Sequence, residues 1–135
     1  MKEQIRILVV DDISSMRRLA AAFLHELGYR QITQAANGAE ALTMLQKEAF
    51  DLVITDWSMP RMSGLELLQA IRKDSNLKQV PVLLITAEAR KENIMAAAQS
   101  GASGYVVKPF TMTTLGEKVE RILERSQNAT LGALP

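Results

Sequence analysis

The sequence predicts an α/β fold: a doubly wound, five-stranded parallel sheet with helices on both faces. Three observations carry this. Strand-like and helix-like segments alternate at intervals of roughly 20–30 residues, the rhythm of repeated βα units. Strand-like runs such as Ile5–Val10, apolar except for Arg6 near its start, and Val82–Ile85 read as strands buried on both faces. The helix-like segments between them carry apolar stripes that need a sheet to cover them, and right-handed crossovers distribute such helices over both faces.

Taken in order, Ile5–Val10 is the first strand, and the N-terminus runs straight into it. Ser14 or Ser15 caps the first helix, whose stripe is Met16, Leu19, Ala20, Phe23, Leu24 and Leu27, and Gly28 stops it. A weaker second strand covers about Gln31–Ala35. Asn37-Gly38 then leads into a helix with Ala41, Leu42 and Leu45 inward. Asp51–Asp56 is the third strand, followed by a Met-Pro loop and a helix from Gly64 to about Lys73, packed through Leu65, Leu68 and Ile71. Pro81 opens the fourth strand. The fourth helix, about Lys91–Ser100, has Ile94 and Met95 but is otherwise Ala-rich, so its thin apolar face makes it the least firmly packed element. Tyr105–Val107 is the fifth strand, and Lys108-Pro109 makes a turn in which a cis bond would fix where the lysine points. The last helix starts near Thr111 and carries Leu115, Val119, Ile122 and Leu123. Residues 1–125 form one domain, and Ser126–Pro135 is a short polar tail with little to bury.

Composition removes several classes of function. No cysteine occurs, which excludes disulfides, zinc–thiolate sites and thiol nucleophiles. No apolar stretch approaches a membrane span and no secretory leader is visible, so a cytoplasmic location is expected, with no membrane partner. A formal charge of +1 argues against nucleic acid, because Arg17-Arg18 and Arg90-Lys91 are too small to make a cationic face.

What remains is a pattern at the strand ends. Ile5–Val10 runs into Asp11-Asp12, Leu52–Thr55 into Asp56, Val82–Ile85 into Thr86, and Tyr105–Val107 into Lys108. Sheets of this kind bind ligands outside the carboxyl ends of their strands. Adjacent strands lie about 4.8 Å apart. If the first and third are neighbours, with the fourth and fifth following, the three aspartates crowd within roughly 5 Å of one another. Each pair then repels by about 3 kcal/mol at an effective dielectric near 20. One lysine offsets only part of that. A divalent cation offsets it best, and hard oxygen ligands point to Mg2+, with Mn2+ as a substitute.

Asp11 and Asp12 share a strand end and are suited to hold the cation, directly or through water. Asp56 stands alone at the end of a central strand, free to attack phosphorus and form an acyl phosphate. The cation and Lys108 would neutralise phosphoryl oxygens, and Thr86 would donate a hydrogen bond to one of them. The single histidine, His25, falls on the first helix as a solvated residue, and no base is needed because a carboxylate is already the nucleophile. Any one of these residues has an ordinary use: a strand-end aspartate forms turns and caps helices, and a strand-end threonine is unremarkable. Their meeting at one edge is what points to chemistry.

Leu8-Val9-Val10-Asp11-Asp12, Met16-Arg17-Arg18, Asp56-Trp57-Ser58-Met59-Pro60, Thr86-Ala87-Glu88-Ala89 and Gly101 through Phe110 together make the chain recognisable. Over residues 5–125 it resembles the receiver domains of two-component response regulators, and within them the single-domain chemotaxis regulators. The resemblance implies a (βα)5, flavodoxin-like sheet in the order 2-1-3-4-5, which is the family's own topology. It implies that Asp56 is the phosphoacceptor, with a chemotaxis histidine kinase as donor. Asp11 and Asp12 would be the acidic pair at the metal, which also takes the backbone carbonyl of Ser58. Thr86 and Tyr105 would be a switch pair, and Ala89, Ile94, Tyr105 and Lys118 an output face for a flagellar motor switch protein. On this reading the protein is a signalling monomer that catalyses its own phosphotransfer and slow dephosphorylation, with a phosphatase as a further partner.

Ser58 stands where chemotaxis members often have asparagine. With Glu88 it flanks the path of the hydrolytic water, so both are expected to tune phosphate lifetime. Gly116 costs about 1 kcal/mol relative to alanine and is expected to loosen the output face. Other readings keep part of this pattern. A receiver domain from a phosphorelay or a transcriptional regulator would share the chemistry. An aspartyl-phosphate phosphatase of the haloacid-dehalogenase type would carry an acid at the place of Ser58, and a flavin-binding module would need a less acidic first loop than Asp11-Asp12-Ile13-Ser14.

Overall fold

Successive strand residues point to opposite faces, so a strand apolar at every position needs cover on both sides. The computed structural model, which describes residues 1–132, provides it. Strands β1 (Arg6–Val10), β2 (Gln31–Ala35), β3 (Leu52–Asp56), β4 (Val82–Thr86) and β5 (Gly104–Val107) form one parallel sheet in the order β2-β1-β3-β4-β5. The helices are α1 (Ser14–Glu26), α2 (Gly38–Lys47), α3 (Gly64–Lys73), α4 (Lys91–Gln99) and α5 (Met112–Gly132). Leu8, Val10, Val53, Val82 and Leu84 share a core with α2, α3 and Ala97 of α4. The alternate residues Ile7, Val9, Leu52, Ile54, Leu83 and Ile85 pack against α1 and α5.

Several local expectations change. A 3-10 turn over Lys2–Gln4 precedes β1, so the chain does not enter the strand directly. Neither serine caps α1: Ile13 holds the cap position without a side-chain bond, and Ser14 begins the helix. The Asp11 carboxylate, which accepts the Ile13 N–H at 2.9 Å, organises that turn instead. Leu19 faces solvent at 43% exposure while Ala20, Ala21 and Leu24 are buried, a stripe rotated by about one residue. Gly28 does end the helix, at φ +105°. Its N–H reaches the His25 carbonyl and that of Tyr29 the Leu24 carbonyl, the paired closure that a left-handed residue permits. In α3 the buried residues include Leu67, with Leu65 half-buried, and a reciprocal Ser63–Glu66 capping box starts the helix.

The thin face of α4 is borne out, since Ala97 is its one buried residue. Gly116 is buried, and a Cβ there would lie 3.0 Å from Leu27 Cδ2, so the glycine lets α5 approach α1. Helix α5 continues to Gly132 across the start of the segment read as a tail, of which residues 133–135 lie outside the described residues. Among the described residues no helix is long and apolar enough to cross a membrane.

Candidate functional site

The ladder of the sheet carries each polar terminus to the same edge. Asp11 follows β1, and its N–H still bonds the Ala35 carbonyl of β2 at 3.2 Å. Asp56 is the last residue of β3, in register with Ile85, and the Trp57 N–H continues the pairing to the Ile85 carbonyl at 2.8 Å. Thr86 ends β4, and its carbonyl accepts the Lys108 N–H at 2.8 Å just beyond β5. The Lys108–Pro109 bond is cis.

Carboxylate oxygens of Asp11, Asp12 and Asp56 lie within 4.8 Å of one another. Asp11 and Asp56 are buried, at 4% and 5% exposure, whereas Asp12 is open to solvent. Lys108 Nζ stands 3.1 Å from Asp56 Oδ1 and 3.9 Å from Asp11 Oδ2. Burial pushes the Asp11 carboxyl above its ordinary pKa, and the charge of Asp56 adds to this, while the Ile13 N–H and Lys108 oppose it. Three carboxylates against one ammonium leave an excess of negative charge on hard oxygen donors, a donor set that fits Mg2+.

The other predicted residues divide. Thr86 is buried, and its hydroxyl bonds the Glu88 main chain. Glu88 is exposed and its carboxylate pairs with Arg90 Nε at 2.7 Å. Ser58 and Ala89 are exposed at the same edge's loops, and Ile94 is half-buried on α4. Tyr105 and Lys118 do come together, with the ammonium 5.4 Å from the ring centroid. Beside them opens a groove of about 300 Å³ floored by Val107, Phe110 and Thr114.

Three residues at this edge were not singled out as functional by sequence. Gly64, first in α3, donates its N–H to the Trp57 carbonyl at 2.8 Å, and a Cβ there would lie 2.9 Å from Trp57 Cα. A glycine at the first helical position, where many residues would serve, was the available signal. Arg61 sits at φ +70°, a left-handed conformation unusual for arginine, with no sequence signal. Arg17 donates to the Asp11 main-chain carbonyl at 2.6 Å, although the sequence read it only as part of a small basic pair and of the Met16-Arg17-Arg18 motif, without a role.

Known proteins share this chain's sequence and fold. The model of the response regulator receiver domain matches residues 7–120. Chemotaxis protein CheY-3 of Vibrio cholerae is 51% identical over 125 residues, covering 93% of this chain and 96% of that protein. Chemotaxis protein CheY of Pseudomonas aeruginosa is 51% identical over 120 residues, covering 89% and 97%. The solved structure of chemotaxis protein CheY4 of Vibrio cholerae superposes with a TM-score of 0.82 at 38% identity, covering 87% of this chain and 98% of that one. A receiver domain protein from Clostridium thermocellum superposes at 0.84 with 28% identity, covering 93% and 98%. Sheet order, acidic edge and sequence match agree, and the chain belongs to the response regulator receiver domain family.

Proposed function

We propose that Asp56 accepts a phosphoryl group from the phosphohistidine of a chemotaxis histidine kinase, and that the resulting acyl phosphate switches a protein-binding face. The observation that carries this reading is the 3.1 Å contact of Lys108 Nζ with Asp56 Oδ1 at the centre of the carboxylate cluster. In the transfer, an Asp56 oxygen bonds to phosphorus, the donor's N–P bond breaks, and the imidazole nitrogen keeps that electron pair. Lys108 neutralises the carboxylate at rest and a phosphoryl oxygen afterwards. Asp11, Asp12, Asp56 and the Ser58 backbone carbonyl would hold Mg2+, or Mn2+ in its place. When bound, the cation supplies positive charge to the phosphoryl oxygens.

The switch follows from Thr86, whose hydroxyl turns from Glu88 to a phosphoryl oxygen, with the Tyr105 ring moving into the vacated space. Only the phosphorylated site offers that bond, so phosphorylation biases a two-state element. The output face contains Ala89, Ile94, Tyr105 and Lys118, and its partner is a flagellar motor switch protein. The weak anchoring of α4 supports this, as does the chemotaxis naming of relatives at 51% identity. Ser58 and Glu88, both exposed, tune dephosphorylation by water or with a phosphatase. The protein would act as a cytoplasmic monomer, residues 1–125 forming the receiver, with neither nucleic acid nor membrane as partner.

Incubation with radiolabelled acetyl phosphate and Mg2+ tests the centre of this reading. Peptide mapping should find the label on Asp56 and none in Asp56→Asn; label on another residue overturns it.

A further inference from the structure

The phosphoryl chemistry leaves the motif Met16-Arg17-Arg18 without a role. Arg17 lies in the first turn of α1, is half-buried, and has no ion pair among the described residues. Its guanidinium is spent on two neutral acceptors. Nη1 donates to the Asp11 main-chain carbonyl at 2.6 Å, and Nε donates to Gln34 Oε1 on β2 at 3.2 Å.

We infer that Arg17 is a positioning residue for the cation site, setting the direction of the Asp12 carboxylate through the Asp11–Asp12 peptide. This rests on the reading of Asp11 and Asp12 as magnesium ligands. Asp11 is held on three sides. Its N–H bonds Ala35 of β2, its carboxylate accepts the Ile13 N–H, and its carbonyl accepts from Arg17. The peptide unit joining it to Asp12 therefore cannot rotate without losing the arginine bond. Asp12 is exposed, and no hydrogen bond or ion pair holds its carboxylate among the described residues. That carboxylate takes its direction from the backbone that carries it. The bond to Gln34 fixes the guanidinium in turn, a two-pronged attachment that suits arginine's rigid planar fork better than lysine's flexible ammonium.

Charge and position act with opposite sign here. A guanidinium bonded to the Asp11 main chain repels a dication bound at the neighbouring carboxylates, so as a bystander charge its removal would tighten Mg2+. As a positioning group its removal loosens Mg2+, and such supporting residues commonly change metal affinity by about tenfold or more.

The test is Mg2+ titration of the whole chain by calorimetry and Trp57 fluorescence at fixed ionic strength, with unfolding in EDTA confirming that each variant is folded. Arg17→Met should raise the Mg2+ Kd by about tenfold. Arg17→Lys, which keeps the charge and reaches one acceptor, should fall between it and wild type. Gln34→Met should give a smaller rise that disappears when Arg17 is already methionine. An unchanged or lower Kd in Arg17→Met, with Asp12→Ala still losing Mg2+, overturns the role of Arg17 and leaves the cation site standing. Should Arg17→Met not fold, an unchanged Kd in Gln34→Met overturns it equally. A wild type that binds no Mg2+, or an Asp12→Ala variant that binds it normally, overturns the cation site and this inference together.

Discussion

Thr86 and Glu88 are bonded to each other twice: the Thr86 hydroxyl donates to the Glu88 carbonyl at 2.9 Å and accepts the Glu88 N–H at 3.1 Å. A hydroxyl has one proton to give. Donating it to a phosphoryl oxygen removes the bond to the Glu88 carbonyl, worth about 1 kcal/mol net, which a charged acceptor can more than replace. On the proposed reading this frees the Glu88 carbonyl in the loop leading into α4. With Mg2+ and beryllofluoride, the Ala89 amide nitrogen, attached to that carbonyl, should shift strongly in the NMR spectrum. Thr86→Ala should still take phosphate on Asp56 but lose this response. A stationary Ala89 resonance in the wild type would detach Thr86 from the switch.

Asp11 should lower the stability of the metal-free protein. Burial first, and the Asp56 charge second, raise its pKa above the ordinary aspartate value. The native state then binds that proton more tightly than the unfolded chain does. Its contribution to stability is complete below the ordinary aspartate pKa and is lost as pH rises through the raised native value. Asp11→Asn, which retains an oxygen for the Ile13 N–H, should therefore melt above wild type at neutral pH in EDTA. The gap should close in acid, and Mg2+ should favour wild type. Thermal unfolding across pH decides this, and a neutral-pH variant that melts below wild type in EDTA contradicts it.

Two glycines should respond very differently to alanine. A Cβ on Gly64 would press on the main-chain carbonyl of Asp56 and lie 2.9 Å from Trp57 Cα. Backbone at the end of a central strand cannot yield as a side chain can. Gly64→Ala should cost about 2 kcal/mol or more and weaken Mg2+ binding, despite the better helix propensity of alanine. At Gly116 the obstacle is the end of the half-buried Leu27 side chain, at 3.0 and 3.3 Å. That side chain can turn away, so Gly116→Ala should stay within about 1 kcal/mol of wild type. Chemical denaturation of both variants measures the contrast, and equal losses would refute it.

The parts of the molecule legible in sequence are those where one residue type does one job. Ile7 and Val9 face α1 and α5 while Leu8 and Val10 face α2 and α3, so an unbroken apolar run already implied cover on both sides. Strand ends were equally plain, because Asp11, Asp56, Thr86 and Lys108 each interrupt such a run. What sequence hid depends on rotation and on contact. Leu19 fits a helical stripe by spacing, but the small residues Ala20 and Ala21 face the sheet, turning Leu19 outward. Ser14 and Ser15 look like caps, but the Asp11 carboxylate organises that turn. The bond from Arg17 to the Asp11 carbonyl and the bonds between Thr86 and Glu88 engage main-chain atoms, which every residue possesses, so no pattern of side chains announces them.

Tyr105 lies between the acidic edge and the face proposed as the output surface. It pairs in register with Leu84 on β4, two residues before Thr86, and its half-buried ring packs against the α2/α3/α4 core. On the solvent side Lys118 Nζ lies 5.4 Å from the ring centroid, a contact worth about 0.5–1 kcal/mol when exposed. Helix α4 offers half-buried Ile94 and exposed Met95, and Ala97 is its one buried residue. Movement of the ring toward β4 would release Lys118 and change the surface that Ile94 helps to form. A few kcal/mol from bonding Thr86 to the phosphoryl group suffices to reverse a modest two-state bias. Beryllofluoride-loaded protein should therefore bind an N-terminal peptide of the flagellar motor switch protein several-fold more tightly than the free form, measured by fluorescence anisotropy at saturating Mg2+. Tyr105→Ala and Lys118→Ala should weaken that binding without reducing phosphorylation of Asp56. Equal affinity with and without beryllofluoride would exclude this face as a phosphorylation-controlled output and favour a phosphorelay role.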